Sequence, residues 1–384
     1  MSKTFDFAVI GAGVFGAWTA HALRQSGASV VLLDAYGPAN GRSSSGGETR
    51  VIRMGYGPDE LYTDWAMRSL PKWQELAAQT NIEVFHRTGV LWLATEEDSF
   101  TLKMLDVLRA RGVSCGRVNR DDIQRRWPQL HFPEASWAVY EPESGLLMGR
   151  KSVQLLVSVL EREGVAVRNA SVTSPQCRVK VKVIQTTAGE EIAAGNFIFA
   201  CGPWLPKLFP DLLRERIFPT RQEVFFLGPP QGSTDFDPGR MPVWLFHQHP
   251  DIPYALPNIE GRGFKIAFDR HGSSIDPDTD ERVIGKDSIS RLRTFLGKHV
   301  PALKDAPIVE TRVCQYENTW NGDFLIDRHP AAENVWMVGG GSGHGFKHGP
   351  ALGEYVRDLI LNGHTPEPRF SLASKKAQQG RAVY

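Results

Sequence analysis

The sequence predicts an α/β fold: a Rossmann-like nucleotide-binding domain with an inserted, mostly antiparallel β-sheet domain of α+β character. Three observations carry that expectation. A strand, a glycine loop, a helix and a second strand fill the first 34 residues. Apolar strands recur late, at 196–200 and 335–338. Between them, residues 221–285 mix aromatics, Pro and Gly in short alternating runs, as antiparallel strands with long loops do.

The first unit opens on the apolar run 5–10 and turns at Gly11-Ala-Gly-Val-Phe-Gly16 into a helix from Ala17 to about Gln25. Gly27 follows, and the run 29–34 supplies a second strand, so the unit reads as βαβ with a parallel pair. A helix rich in Leu, Trp and Ala is expected over about 60–79, with Pro71 kinking it or marking a boundary inside it. Short strands are expected at 89–94, 137–141, 165–169 and 178–185, and helices at 99–111, 120–126, 152–163 and 286–297. The segment 310–348 reads as strand, loop, strand and a second glycine loop. A helix from Pro350 to about Leu361 has Pro at its start, where the missing N–H costs nothing. The polar tail after Thr365 is expected to be loosely held.

Composition excludes several functional classes. Of 384 residues, 23% are charged and 41% hydrophobic, an ordinary globular balance. The 44 basic and 43 acidic residues leave a net charge of +1, with no electrostatic footprint for nucleic acid and no basic block for a membrane surface. Cys115, Cys177, Cys201 and Cys314 form neither a CxxC pair nor a zinc pattern, so no metal and no disulfide framework are expected. The first strand begins too early for a signal peptide, and no run of about 18 apolar residues exists. A cytoplasmic protein with reduced thiols is expected.

Gly11, Gly13 and Gly16 have the spacing of a dinucleotide-binding turn. The first allows the tight turn, the second lets the backbone approach a pyrophosphate, and the third lets helix pack on strand. The helix N-terminus adds free N–H groups and a positive dipole end. Asp34, which ends the next strand 18 residues after Gly16, suits the hydroxyls of an adenosine ribose. The motif alone admits NAD or FAD. A cofactor domain assembled from separated segments suits a flavoprotein better. The second glycine loop, Gly341-Ser-Gly-His-Gly-Phe-Lys347, could aim N–H groups at an anionic locus or place Lys347 near a substrate. A plain strand-to-helix turn is the blander alternative.

With Thr49-Arg50-Val-Ile-Arg53, Cys314-Gln-Tyr316 and Asp323-Phe-Leu-Ile-Asp327-Arg-His-Pro330, these two loops resemble a family. It is that of monomeric sarcosine oxidase, N-methyl-tryptophan oxidase, pipecolate oxidase and the fructosyl amino acid oxidases. These are FAD-dependent amine oxidases of the D-amino-acid-oxidase fold type, and the resemblance runs from residue 5 to about 362. It implies covalent FAD, attached through the 8α-methyl to Cys314. A thiolate suits that chemistry; a buried free cysteine is the alternative reading.

Further roles follow from the resemblance. Lys265 would sit over the flavin as a fixed cation that activates oxygen, with Arg50 stabilising the anionic reduced ring; both are assigned as catalytic. Arg53 and Lys347 would hold a substrate carboxylate. Tyr254 and Tyr316 would line the substrate pocket. Ser44, Thr49, Arg50, Val172, Gly202, Gly343, Gly345 and Lys347 join Gly11, Gly13, Gly16, Asp34 and Cys314 in the cofactor-binding set. Where the small-amine oxidases carry a His-His pair, this chain has Ser44-Ser45, and where they carry a histidine four residues after the lysine it has Asp269. Leu245 stands near a family methionine. Asp269 would line the outer pocket and favour a hydroxylated or cationic N-substituent over sarcosine.

The resemblance thus implies an oxidase of a secondary amine, namely an N-methyl, cyclic imino or fructosyl amino acid. Hydride passes to the flavin, the imine hydrolyses, and oxygen returns as hydrogen peroxide. Its partners are a small amine and molecular oxygen, and the chain is expected to be a monomer. The cofactor domain is expected from 1–85, 150–220 and 320–384, and the substrate domain from 86–149 and 221–319. Three rivals stay open: an amine dehydrogenase that passes electrons to a carrier, an NAD-dependent dehydrogenase, and a non-catalytic flavin-binding subunit.

Overall fold

In the computed structural model, which describes residues 4–378, two large sheets are each assembled from distant parts of the chain. The first has seven strands. Six run in the order Leu325–Arg328, Val335–Gly339, Glu191–Phe199, Phe5–Ile10, Val30–Asp34 and Ala166–Asn169, and Val183–Gln185 pairs beside Glu191–Phe199. Phe5–Ile10 is parallel to both of its neighbours. Helices cover such a sheet on both faces, which is why Val30 to Leu33 are apolar without alternation and all buried. The helix Val14–Gln25 packs against the helix Gly349–Leu361 at close quarters. A Cβ on Gly353 would lie 2.4 Å from the Trp18 carbonyl oxygen, so the contact requires glycine.

The second sheet has eight strands in the order Ile308–Asn318, Phe218–Leu227, Phe264–Phe268, Pro253–Leu256, Val243–Leu245, Val90–Ala94, Trp137–Glu141 and Gly116–Asn119. Its pairings are antiparallel except that of Val90–Ala94 with Val243–Leu245. Period-two alternation decides what each strand presents. Phe264, Ile266 and Phe268 share a core with Leu292, Phe295 and Leu296 of the helix Lys286–His299. Lys265 and Ala267 point to the opposite face. A small third sheet is ordered Thr49–Ile52, Gly145–Met148 and Phe85–His86.

Most expected elements form, with instructive differences. The helix Glu60–Thr80 runs through Pro71 without a break. The strand expected at 178–185 is reduced to Val183–Gln185. The Asn334 side chain takes its place at Val181, accepting from its N–H at 2.9 Å and donating to its carbonyl at 2.7 Å. The helix expected from 152 begins at Gly149. Among the described residues no helix is long and apolar enough to cross a membrane.

The tail departs most from expectation. Residues 367–376 are docked, while 379–384 lie outside the described residues. Phe370 is fully buried against Tyr62, Trp65, Phe324 and Tyr355. Arg369 grips Asp59 with two bonds of 2.7 and 2.9 Å. The ammonium of Lys375, itself buried, donates to the carbonyls of Asp323 and Arg369. A polar composition concealed one aromatic anchor and charges that find partners. Phe370→Ala should therefore cost about 3–5 kcal/mol. Urea unfolding monitored by circular dichroism would read this as a lowered midpoint at unchanged slope.

Candidate active site

The glycine turn is built for close approach. Gly11 has φ +104, and a Cβ on it would meet the Ala200 carbonyl oxygen at 2.3 Å. A Cβ on Gly16 would lie 1.8 Å from the Gly11 oxygen. Asp34 accepts from the backbone N–H of Ala12 at 2.8 Å and of Tyr36 at 2.9 Å, tying the second strand to the turn. Its burial pushes the carboxyl above its ordinary range.

A cavity of about 340 Å³ extends from this turn. Gly11, Gly13, Asp34, Ser44, Arg50, Val172, Gly202, Gly343 and Gly345 are among the residues that line it. Gly16 lies beneath it. A second cavity, about 100 Å³, adjoins the first through Arg50, Tyr316, Gly343 and Phe346. It gathers Thr49, Arg53, Tyr254, Lys265, Asp269, Cys314 and Lys347. The strand Ile308–Asn318 runs between the cavities. Gln315 and Glu317 face the first, Arg312 and Cys314 the second, and Tyr316 borders both.

Cations crowd the small cavity. Lys265 is buried, and its ammonium donates to the Thr49 carbonyl at 2.9 Å. Burial first, and the Arg50 charge second, push its pKa down to about 7. Arg50 donates to the same carbonyl at 2.8 Å and to the Ser44 carbonyl at 2.5 Å. Its guanidinium lies 3.9 Å from Cys314 Sγ and 5.7 Å from the Phe346 ring centroid. Lys347 donates to Tyr56 Oη at 2.7 Å and to the His344 carbonyl at 2.8 Å. Burial, then repulsion from Arg53, hold its pKa well below the ordinary lysine value.

Arg53 is clamped between aromatic faces, 4.1 Å from the Tyr56 centroid and 4.5 Å from that of Trp92. Two carboxylates, Glu48 and Asp269, also line the cavity. Glu48 pairs with Arg312 at 2.8 Å. Asp269 lies one residue beyond the strand Phe264–Phe268 and accepts from Tyr316 Oη at 2.7 Å.

Two supports were not legible in sequence. Glu141, fully buried, accepts from Met54 N–H (2.8 Å), Gly55 N–H (3.2 Å), Trp92 Nε1 (2.9 Å) and Ser144 Oγ (2.7 Å). It fixes both the turn after Arg53 and the indole on which Arg53 stacks. Tyr56 Oη also meets His348 Nε2 at 2.7 Å and His344 Nδ1 at 3.3 Å, behind Lys347. No local pattern marks any of these residues.

A family model described as FAD dependent oxidoreductase matches residues 6–359. The chain belongs to this family. Monomeric sarcosine oxidase from Bacillus sp. (strain B-0618) is 32% identical over 371 residues, covering 95% of this chain and 94% of that protein. N-methyl-L-tryptophan oxidase from Yersinia pestis (strain Pestoides F) is 28% identical, over 96% of this chain and 99% of that one. Among solved structures, L-proline dehydrogenase from P. horikoshii superposes with a TM-score of 0.84 at 21% identity, covering 97% of this chain and 98% of that chain.

The residues present fit FAD. The glycine turn opens the long cavity where a pyrophosphate needs bare backbone. Ser44 Oγ, Thr49 Oγ1 and Glu317 Oε2 are buried without a hydrogen-bond partner among the described residues. Such groups are costly unless a ligand satisfies them.

The buried lysine also gives a test of the electrostatics. Unfolded, Lys265 keeps its proton to about pH 10.4; folded, it releases it near 7. Burying the ammonium is therefore most costly below pH 7, and the cost fades as pH rises toward about 10. In the cofactor-free protein, Lys265→Met should raise the melting temperature relative to wild type most at pH 6 and least at pH 10. A difference that is flat with pH would contradict this.

Proposed function

We propose that this FAD-dependent oxidoreductase oxidises the C–N bond of a secondary amine that also carries a carboxylate, with oxygen as electron acceptor. The observation that carries the reading is the pair Arg53 and Lys347. Both are buried in the cavity of about 100 Å³ beside Arg50 and Cys314, and the Arg53 charge adds to the cost of charging Lys347, a cost that a substrate carboxylate between them would lower. Arg53 offers a planar fork to a carboxylate, and Lys347 adds a compact point charge. FAD, when bound, supplies the two-electron chemistry.

The chain's own residues orient and tune. Arg53 and Lys347 fix the acid end of the substrate. Tyr254 and Tyr316 bound the space for its nitrogen substituent. Lys265 and Arg50, sharing the Thr49 carbonyl, hold positive charge at the junction of the cavities, where it stabilises negative charge that develops on the ring and on oxygen. No side-chain base is assigned; the positive pocket selects the neutral amine. Cys314 is the proposed point of covalent attachment. The same reading divides the chain into a cofactor domain of 1–85, 150–220 and 320–384 and a substrate domain of 86–149 and 221–319. It makes the protein a cytoplasmic monomer.

Asp269 narrows the substrate class. Its carboxylate, held by Tyr316 at the cavity wall, disfavours a second substrate carboxylate and accepts from a hydroxyl or a cation. The reading therefore favours N-substituents bearing such groups, as in a sugar-derived amine.

Two experiments test it. If Cys314 carries the flavin, yellow colour stays with acid-precipitated wild type and leaves with the supernatant in Cys314→Ser; colour lost from both contradicts attachment. A peroxide-coupled screen of N-alkyl, cyclic and fructosyl amino acids should give turnover with acids and little with their decarboxylated amines. In the same panel Asp269→His should shift preference toward small N-methyl amino acids, and unchanged kcat/KM ratios would remove its role. Arg53→Leu should lower kcat/KM for the acids by about 30-fold or more, since truncating one partner of a buried charge pair costs about 2–5 kcal/mol.

A further inference from the structure

Glu317 is a buried acid that the chemistry above does not use. It lies on the strand Ile308–Asn318, three residues beyond Cys314, and lines the long cavity. Three glycines keep side chains away from its carboxylate. A Cβ on Gly339 would come within 3.1 Å of Oε2, one on Gly341 within 3.3 Å of Oε1, and one on Gly202 within 3.8 Å of both. The backbone N–H groups of Gly340 and Gly341 face the carboxylate, yet Oε2 has no hydrogen-bond partner among the described residues. Burial raises its pKa to about 7, so around neutrality the group can both donate and accept.

Its position along the cavity sets what it would meet. Cys314 and Arg50 mark one end of the route, and the turn Gly11–Gly16 marks the other. Three residues of strand put Glu317 about 10 Å from Cys314. Cys201, whose thiol donates to the Ile10 carbonyl beside the turn at 3.3 Å, feels the charge of both Asp34 and Glu317. Glu317 therefore sits between the ring end and the phosphate end. A carboxyl group is a poor neighbour for phosphate but a good one for a hydroxyl. In FAD the segment between ring and pyrophosphate is a ribityl chain with three hydroxyl groups. We infer that Glu317 is a cofactor-binding residue whose free carboxyl oxygen bonds one hydroxyl of the ribityl chain of FAD. The inference rests on FAD binding and not on the identity of the amine.

The test is a cycle between protein and cofactor, read by equilibrium binding rather than turnover. In a Cys314→Ser background, which keeps binding reversible, FAD is titrated into cofactor-free protein and followed by fluorescence quenching. Glu317→Ala should weaken FAD about tenfold or more, the worth of one hydrogen bond to a buried carboxyl group. Glu317→Gln, which keeps an acceptor and a donor, should recover most of the loss. Against FAD lacking the 2′-, 3′- or 4′-hydroxyl, the effect of Glu317→Ala should fall below about twofold for one analogue and persist for the other two. An equal penalty for FAD and all three analogues, in Glu317→Ala and Glu317→Gln alike, would overturn the inference and leave Glu317 as a support for the 339–341 turn or a ligand of buried water.

Discussion

Positive charge held close together out of water is the constraint around which the site is organised. Arg50, Arg53, Lys265 and Lys347 converge on a cavity of about 100 Å³. Burial disfavours the charged form of Lys265 and Lys347, and Arg50 and Arg53 respectively add to that cost. The fold meets that cost with neutral acceptors more than with opposite charges. The Thr49 carbonyl serves both Arg50 and Lys265, and Tyr56 and the His344 carbonyl serve Lys347. Arg53 is held by ring faces and by the Gly55 carbonyl, to which it donates. Of the acids nearby, Glu48 pairs with Arg312 and Glu141 accepts from backbone and indole donors, while Asp269 and Glu141 offset part of the charge at Lys347.

Close backbone approach is the second requirement, and glycine supplies it at both scales. Gly11 and Gly16 let the first helix start directly behind its strand. Gly353 lets the helix Gly349–Leu361 lie on that same helix, so the loop ending at Lys347 is anchored to the nucleotide turn. One strand then serves both cavities. The alternation in Ile308–Asn318 sends Cys314 to one side and Gln315 and Glu317 to the other, so register along this strand decides the spacing between the two sets of groups.

What was legible in sequence was local. The βαβ unit declared itself because its strand, turn, helix and acid are consecutive, whereas Lys265, in Gly263-Phe-Lys-Ile, stands out only through the family resemblance. Arg53, Tyr254, Asp269 and Lys347 were found through resemblance, and the fold gathers them at one cavity. Glu141 and Glu317 were missed for a physical reason. Their meaning lies in contacts with residues 86 or 87 positions away, or in an empty space beside three glycines. Neither leaves a period. The docked tail escaped for a similar reason, since Phe370 is a lone aromatic in a polar stretch whose partners lie near residues 60 and 324.

The strand order of the seven-stranded sheet bears on how the protein comes off the ribosome. Phe5–Ile10 is made before its second neighbour, Glu191–Phe199, whose own partner, Val335–Gly339, follows later still. Parallel pairing across such separations repays loop entropy only late. At roughly 5–20 residues per second, the N-terminal strands wait tens of seconds with an open hydrogen-bonding edge. The glycine turn is thus translated long before the helix Gly349–Leu361 that packs on its own helix. Nascent chains of this architecture need protection of that edge, and truncation from the C-terminal side exposes the centre of the sheet rather than its rim.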